Sequence, residues 1–183
     1  MGNPGDEYAE TRHNAGFLLA DHLVRRWGGG AWKKIDRARE VVVQRDGHEV
    51  VVTKPWTYMN RSGAALAPFL ATPGWDPATH LLVLMDDVAI RSGTYRLRGA
   101  GSAGGHNGLK SVEGALRRQD YARLRIGIGP KPPEIDDLAD YVLGEFSDDE
   151  VAQLRDIFDP MAAIVESWLA EGVESAMRRT DRP

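Results

Sequence analysis

Apolar residues recur along this chain with two different periods, which predicts that helices alternate with strands. Spacing of three and four residues predicts helices over 14–27, 60–70 and 107–118. Short β-branched, alternating or continuous apolar runs predict strands over 40–45, 49–54, 81–85, 94–98 and 124–128. Asp46-Gly47 separates the first two of these strands and is typical of a two-residue hairpin turn.

Strands that alternate with helices indicate the α/β class. We expect a single three-layer αβα domain over 1–183, with a mixed, mostly parallel twisted sheet and helices on both faces. The acidic segment 147–183 is expected to form a helical tail of that domain. A length of 183 residues and a hydrophobic fraction of 42% are sufficient for one core.

Composition excludes several classes of site and of location. The chain has no cysteine, which excludes disulfides, thiolate metal sites and a catalytic thiol. No run approaches the roughly 20 apolar residues that span a bilayer, and the N-terminal residues lack a basic and then apolar signal. We therefore expect a cytoplasmic protein with no membrane partner.

Charge is distributed unevenly, although the net charge is only −4. Residues 91–131 carry nine basic and two acidic side chains, whereas residues 132–183 carry four basic and fourteen acidic ones. This asymmetry fits a phosphate-binding face beside a solvated acidic face, as a protein with a polyanionic substrate needs. Ordinary surface charge explains it equally well.

A glycine-rich loop over 99–105 follows a predicted strand and precedes a predicted helix. It contains G-x-G-x-x-G, but the next strand ends at Gly129-Pro130-Lys131, without the acid that binds ribose in dinucleotide sites. A phosphate-binding Walker loop is excluded because His106 stands where lysine is required. The remaining interpretations are a tight turn, or a flexible backbone that offers helix N–H groups to an anion or a carbonyl oxygen.

Two histidines and an aspartate lie at the edges of predicted elements and permit two interpretations. His13, Asp86 and His106 match the residue types of a metal site with two histidines and one carboxylate, but no pair has local ligand spacing. Alternatively, Asp86 hydrogen-bonds one imidazole nitrogen of His13 and leaves the other free to take a proton from water. Histidine suits this task near neutral pH.

Five short motifs follow one another along the chain: Gly2-Asn3-Pro4-Gly5, Tyr8 with Thr11-Arg12-His13-Asn14-Ala15-Gly16, Met59-Asn60-Arg61-Ser62-Gly63, Gly104-Gly105-His106-Asn107-Gly108-Leu109-Lys110 and Arg123-Leu124-Arg125-Ile126-Gly127-Ile128-Gly129. In this order they resemble the bacterial peptidyl-tRNA hydrolases, from Gly2 to about Phe146. The resemblance implies an esterase that releases a stalled peptide from the 3′ end of tRNA in ribosome rescue. It also implies a monomer that needs neither metal nor cofactor.

The resemblance further implies roles for individual residues. His13 would be the base that activates water, and Asp86 would favour its proton-accepting form. The remaining candidates would bind substrate: Asn3, Asn60 and Asn107 the peptide and ester groups, Tyr8 and Tyr58 the terminal adenosine, Met59, Gly104 and His106 the walls of the groove, and Arg98, Lys110 and Arg125 the tRNA phosphates. Asparagine suits a peptide unit because its amide offers both a donor and an acceptor.

The N-terminus departs from the family pattern, because Met1 stands directly before Gly2-Asn3, where members have an apolar strand. We therefore expect the first strand of the family to be missing, and we hypothesise that the true start lies upstream. Two other functions stay open at this point. One is a non-catalytic RNA-binding relative with the same fold, and the other is a metal-dependent hydrolase, which a chelator would inactivate.

Overall fold

Strands and short helices alternate up to residue 129, and helices predominate over residues 138–180. A computed structural model describes residues 1–180, so the last three residues of the predicted tail lie outside the described part. The helices are α1 Ala15–Arg26, α2 Ala67–Leu70, α3 Pro77–His80, α4 Asn107–Leu116, α5 Leu138–Leu143, α6 Asp148–Glu171 and α7 Val173–Thr180. The strands are β1 Lys33–Ile35, β2 Ala38–Arg45, β3 His48–Pro55, β4 Leu82–Arg91, β5 Tyr95–Arg98 and β6 Ala122–Gly129. Three 3₁₀ helices cover Asp6–Tyr8, Arg12–Asn14 and Met59–Leu66.

The strands form two three-stranded sheets, ordered β1-β2-β3 and β4-β6-β5. The mixed α/β class is therefore confirmed, but the expected predominance of parallel strands is wrong. Among the strand pairings of residues 1–180, only β4 with β6 is parallel. The reason is local, because a two-residue turn joins β2 to β3 and such turns connect antiparallel strands only.

The predicted hairpin turn at Asp46-Gly47 is confirmed. Both residues have positive φ, 51° and 82°, as the turn typical of short hairpins requires. The turn sets a register in which Val41 faces Val52. These valines pack against Ala20 and Val24 of α1, so the first sheet and α1 share one apolar cluster.

Helices cover both faces of the second sheet, as the three-layer prediction requires. Leu82 and Leu84 of β4 pack with α1, α6 and α7, whereas Val83 and Met85 pack with α4 and the 3₁₀ helix Met59–Leu66. Successive strand residues point to opposite faces, so β4 contributes to both clusters. The sheet therefore separates two apolar cores. Asp86 lies in β4, which is an edge strand of that sheet.

Two predicted elements differ in kind or in length. The segment predicted as a helix over 60–70 is 3₁₀ before it becomes α2. Pro68 lacks the N–H that an α-helical bond to the Ala64 carbonyl would need, and Ala67 donates to that carbonyl instead. Strand β4 runs to Arg91 rather than ending at residue 85, because its pairing with β6 continues beyond that point. Asp86 thus lies within the strand.

Within residues 1–180, no strand precedes β1. Met1 is buried, and its amino group donates to the carbonyl of Leu84 in β4. Burial lowers the pKa of this amino group to about 5. The upstream start stays a prediction.

The segment that follows residue 147 is helical as far as the description extends, in agreement with the predicted tail. Ser147 caps α6 with a reciprocal bond to Glu150, and Gly172 separates α6 from α7 with a positive φ of 81°. Across residues 1–180, no helix has both the length and the apolar character needed to cross a membrane.

Candidate active site

His13 and Asp86 form a buried pair, although 73 positions separate them in sequence. His13 lies in the 3₁₀ helix just before α1, and Asp86 lies in β4, against which α1 packs. The Nδ1 atom of His13 is 3.0 and 2.9 Å from the two carboxylate oxygens of Asp86. The structure therefore brings together the two residues to which the sequence assigned catalysis.

Asp86 is held as a carboxylate despite its burial. Burial by itself raises the pKa of a carboxyl group, but the hydrogen bonds from His106 and His13 outweigh it. Together they hold the pKa of Asp86 well below its ordinary value. An ionised Asp86 only accepts hydrogen bonds. The hydrogen bond between the two residues therefore requires a proton on Nδ1 of His13.

The second nitrogen of His13, Nε2, is therefore left as a proton acceptor. It makes no hydrogen bond within residues 1–180, and His13 lines the principal cavity of the described structure. A carboxylate, an oriented imidazole and an open acceptor nitrogen form the arrangement that activates water or a hydroxyl group.

Asn3 is fixed beside this pair by three hydrogen bonds. Its backbone N–H donates to Oδ1 of Asn14 at 2.8 Å, and its carbonyl accepts from Nδ2 of Asn14 at 3.0 Å. Its own Oδ1 accepts the backbone N–H of Met59 at 2.7 Å. Only the Nδ2 donor of Asn3 is left for a ligand. Asn14 was missed as a functional residue, although it lies in the same motif as His13.

Nearly all the predicted site residues lie around the one cavity. Lys110 is the exception, because it is exposed on α4 outside the lining. The predicted residues that do line the cavity are Asn3, Tyr8, His13, Tyr58, Met59, Asn60, Asp86, Arg98, Gly104, His106, Asn107 and Arg125. The structure thus collects residues from six separate segments of the chain at one site.

Two of the predicted phosphate contacts reach this cavity, and both make hydrogen bonds within the protein. Arg125 donates from Nε to Asp87 at 2.6 Å, which leaves the other guanidinium donors for a ligand. Arg98 donates to the carbonyl of Leu97 at 2.8 Å and also lines the cavity. Asp87 was missed as a site residue, and it sets the orientation of Arg125.

Arg123 was also missed, and it holds the glycine-rich loop against the cavity. This buried side chain donates to the carbonyls of Ser102 and Gln119 at 3.1 and 3.0 Å. At the end of the loop, Gly104 and Gly105 have φ of 54° and 89°, a region that strongly favours glycine. Arg123 thus holds the loop at Ser102, and the two glycines give it the turn that precedes α4.

A further wall of the cavity comes from α5, in the segment expected to be merely acidic. Leu138, Val142 and Leu143 line it, and both leucines are exposed. Arg12 connects this wall to the catalytic turn, because it forms a two-pronged ion pair with Glu150 at 2.9 and 2.6 Å and donates to the carbonyl of Tyr141. Sequence periodicity gave no sign of this wall.

The two histidines and Asp86 also form the cluster proposed as a metal site. Their ligand atoms lie within 4.8 Å of one another. Nδ1 of His13 and Nε2 of His106 both hydrogen-bond to the Asp86 carboxylate, at 2.9 to 3.0 Å. Each of these nitrogens therefore already has a hydrogen-bond partner. A bound cation would have to replace these three hydrogen bonds. The donor set therefore fits a carboxylate that orients two imidazole rings better than it fits a metal centre.

Comparison with known proteins gives a consistent result. The family model described as peptidyl-tRNA hydrolase matches residues 1–183. The chain is 47% identical to a peptidyl-tRNA hydrolase of Gemmatimonas aurantiaca, covering 100% of this chain and 97% of that protein. It is 44% identical to one of Thermotoga maritima, covering 97% and 92%. The crystal structure of the Acinetobacter baumannii peptidyl-tRNA hydrolase superposes with a TM-score of 0.90 at 33% identity, covering 98% and 91%.

Proposed function

The chain belongs to the peptidyl-tRNA hydrolase family, and we propose that it cuts the ester bond between peptide and tRNA with His13 as the base that activates water. The observation that carries this proposal is the buried His13 and Asp86 pair at the wall of the cavity. It combines a fixed imidazole proton with a free acceptor nitrogen, which ester hydrolysis by water requires.

The proposed reaction begins when Nε2 of His13 takes a proton from a water molecule. The water oxygen attacks the ester carbonyl carbon and forms a tetrahedral intermediate. The bond to the ribose oxygen then breaks, and His13 returns the proton to that oxygen. The products are a peptide with a free carboxyl group and a tRNA with a free terminal hydroxyl. Asp86 keeps its charge throughout and stabilises the protonated imidazole.

The developing negative oxygen needs hydrogen-bond donors, and the structure narrows the choice. The N–H groups of Gly108 and Leu109 are already bound by Nδ1 of His106, and the N–H of His106 by the carbonyl of Ala103. The amides of Asn60 and Asn107 and the backbone N–H of Asn107 are donors that line this wall. We assign oxyanion stabilisation to this asparagine pair.

The remaining cavity residues suit the other parts of the substrate. The Nδ2 donor of Asn3 suits a carbonyl of an N-blocked aminoacyl group, and Tyr8 and Tyr58 offer ring faces to the terminal adenosine. Arg98 and Arg125 suit the phosphates near the acceptor end. Lys110, outside the cavity, would contact a phosphate farther along the tRNA.

The proposal includes a setting for the enzyme. It treats residues 1–183 as one hydrolase domain that acts as a monomer in the cytoplasm and recycles tRNA in ribosome rescue. No cofactor enters the reaction, because an ester already has a reasonable leaving group and needs only water, a base and oxyanion donors.

The decisive test measures release of tRNA from an N-acetyl-aminoacyl-tRNA in the presence of a chelator. We expect the wild-type protein to be active and His13→Ala to be slower by about 10²–10⁴-fold, the usual contribution of a general base. Loss of wild-type activity in chelator would favour a metal-dependent hydrolase. Wild-type binding of tRNA without turnover would favour the non-catalytic RNA-binding relative.

A further inference from the structure

His106 lies between Asp86 and the first turn of α4 and uses both of its ring nitrogens. Nε2 is 3.0 Å from Oδ1 of Asp86. Nδ1 accepts the backbone N–H groups of Gly108 and Leu109 at 3.1 and 3.3 Å and thereby caps α4. A backbone N–H only donates, so Nδ1 must carry a lone pair and the ring proton must lie on Nε2.

This arrangement selects one tautomer of the His106 ring. A proton on Nδ1 would point at two N–H groups at the positive end of the α4 dipole and would leave both without an acceptor. In the other tautomer, His106 donates from Nε2 to Asp86. Its remaining polar atoms are used, so the ring offers substrate only its carbon edge and face.

Asp86 is consequently shared between two imidazoles. Its Oδ1 receives both His13 and His106, while Oδ2 receives His13 alone. The two rings lie 5.1 Å apart between centroids and are tilted by 43°. Because the carboxylate is 2% exposed, these donors replace the solvent that would otherwise stabilise its charge.

We propose that His106 is a positioning residue and not a substrate-binding one: its fixed Nε2–H shares Asp86, so that the carboxylate orients His13 without holding it in the protonated form. The same ring caps α4, which places Asn107 at the cavity. The inference rests on the proposed role of His13 as base and adds how the strength of that base is set.

Other charged groups near His13 and Asp86 come from several elements of the fold. The buried amino group of Met1 interacts with Asp86, and Lys54 of β3 acts in turn on that amino group. Asp87, the next residue of β4, is paired with Arg125 of β6. His106 is thus the second donor that contacts the Asp86 carboxylate within residues 1–180.

Two substitutions separate the roles of the ring. His106→Asn keeps a side-chain oxygen where Nδ1 caps α4, because asparagine is a favoured cap, but its amide is too short to replace Nε2 at Asp86. His106→Gln restores a donor at greater reach and loses the favoured cap. Both are compared with wild type by the pH profile of kcat/KM on N-acetyl-aminoacyl-tRNA, together with thermal unfolding.

We expect His106→Asn to move the acid limb of the kcat/KM profile to higher pH by about half a unit or more, the equivalent of one hydrogen bond. His106→Gln should return the limb toward wild type while lowering the unfolding temperature. An unmoved limb with only a raised KM would overturn the proposal and make His106 a substrate contact. An inactive wild type would instead refute the proposed function, and the two failures are therefore distinguishable.

A second measurement applies if neither variant folds. Long-range ¹H–¹⁵N NMR of the wild-type protein reports which nitrogen of each neutral histidine carries the proton. A proton on Nε2 of His106 supports the inference. A proton on its Nδ1 contradicts it, since the capping bonds from Gly108 and Leu109 would then be impossible.

Discussion

The two sides of the cavity differ in how deeply their side chains are buried. On the inner side, Asp86 is 2% exposed, and its carboxylate is hydrogen-bonded to His13 and His106. On the outer side, Tyr58 is 61% exposed, and α5 contributes exposed leucines. The inner side is held in one geometry by these hydrogen bonds, whereas the outer side is open to solvent. Chemistry should therefore be far more sensitive to substitution on the inner side.

The largest effect is expected from Asp86→Asn. The amide would offer a donor or a neutral oxygen to His13, so that the imidazole proton would no longer be fixed on Nδ1. We expect kcat on N-acetyl-aminoacyl-tRNA to fall by about 10²–10⁴-fold with little change in KM. Single-turnover kinetics would measure this. A loss confined to KM would contradict a role in orienting the base.

Asn3 offers the next largest effect and a matched pair of variants. Asn3→Asp keeps an oxygen that accepts the Met59 N–H but loses the Nδ2 donor, whereas Asn3→Ala loses both. We expect each to lower kcat/KM by about 10–100-fold, because a donor to the substrate carbonyl is lost. Asn3→Ala should also reduce stability, since it leaves the buried Met59 N–H unpaired. Asn3→Asp keeps that acceptor but places a carboxyl group at a buried position, so it should reduce stability through burial of the charge instead.

The control for Asn3 is chemical denaturation of both variants. If Asn3→Asp keeps the wild-type kcat/KM, the Nδ2 donor of Asn3 does not contribute to catalysis or binding. Unchanged stability in Asn3→Ala would show that the hydrogen bond to the Met59 N–H does not contribute.

A smaller effect is expected where the two sides are joined, at Arg12 and Glu150. Arg12→Ala removes the two-pronged ion pair and frees the α5 wall. We expect a loss of about 1–3 kcal/mol in the free energy of unfolding and a several-fold rise in KM. Urea denaturation and steady-state kinetics would measure both. The matched control is Arg155→Ala, because Arg155 is exposed on α6.

This ion pair also predicts a pH dependence. Burial raises the pKa of Glu150, but the hydrogen bond from Arg12 and the Ser147 cap outweigh it, so that the pKa is lowered overall. A lowered folded-state pKa means that the contribution is present above the unfolded value of about 4.3 and is lost as the pH falls below it. Glu150→Gln should therefore lose less stability than wild type when the pH falls from about 5 to about 3. If the stability of the variant falls with pH as steeply as that of wild type, the ion pair of Arg12 with Glu150 is contradicted.

The smallest effect is expected on the outer side, at the predicted phosphate contacts. Arg98→Ala should weaken tRNA binding and reduce the slope of log Kd against log salt concentration by about one. Lys110→Ala should change the slope less, because Lys110 lies outside the cavity. Filter binding at several salt concentrations would measure this. A change with Lys110→Ala alone would place the tRNA on a different face.

Local patterns predicted a large part of this molecule. The Asp46-Gly47 turn and the helix after His13 are set by neighbouring residues. The motifs, together with the apolar run that ends before Asp86, selected residues that line one cavity: His13, Asp86, Asn3, Asn60 and Asn107. The parallel content was wrong because the two-residue turn makes β2 and β3 antiparallel, and because β5 pairs antiparallel with β6, which lies beyond α4 in the chain. The ion pair of Arg12 with Glu150 was missed because 138 positions separate the two residues. No periodicity reports such a contact.

The central claim is that His13 carries its proton on the nitrogen facing Asp86 and presents the other to the cavity. Long-range ¹H–¹⁵N NMR at a pH where the ring is neutral tests this most directly, with the resonance assigned by its absence in His13→Ala. The account predicts a protonated Nδ1 and an unprotonated Nε2 for His13. A protonated Nε2 would leave no acceptor for the water proton and would contradict the account.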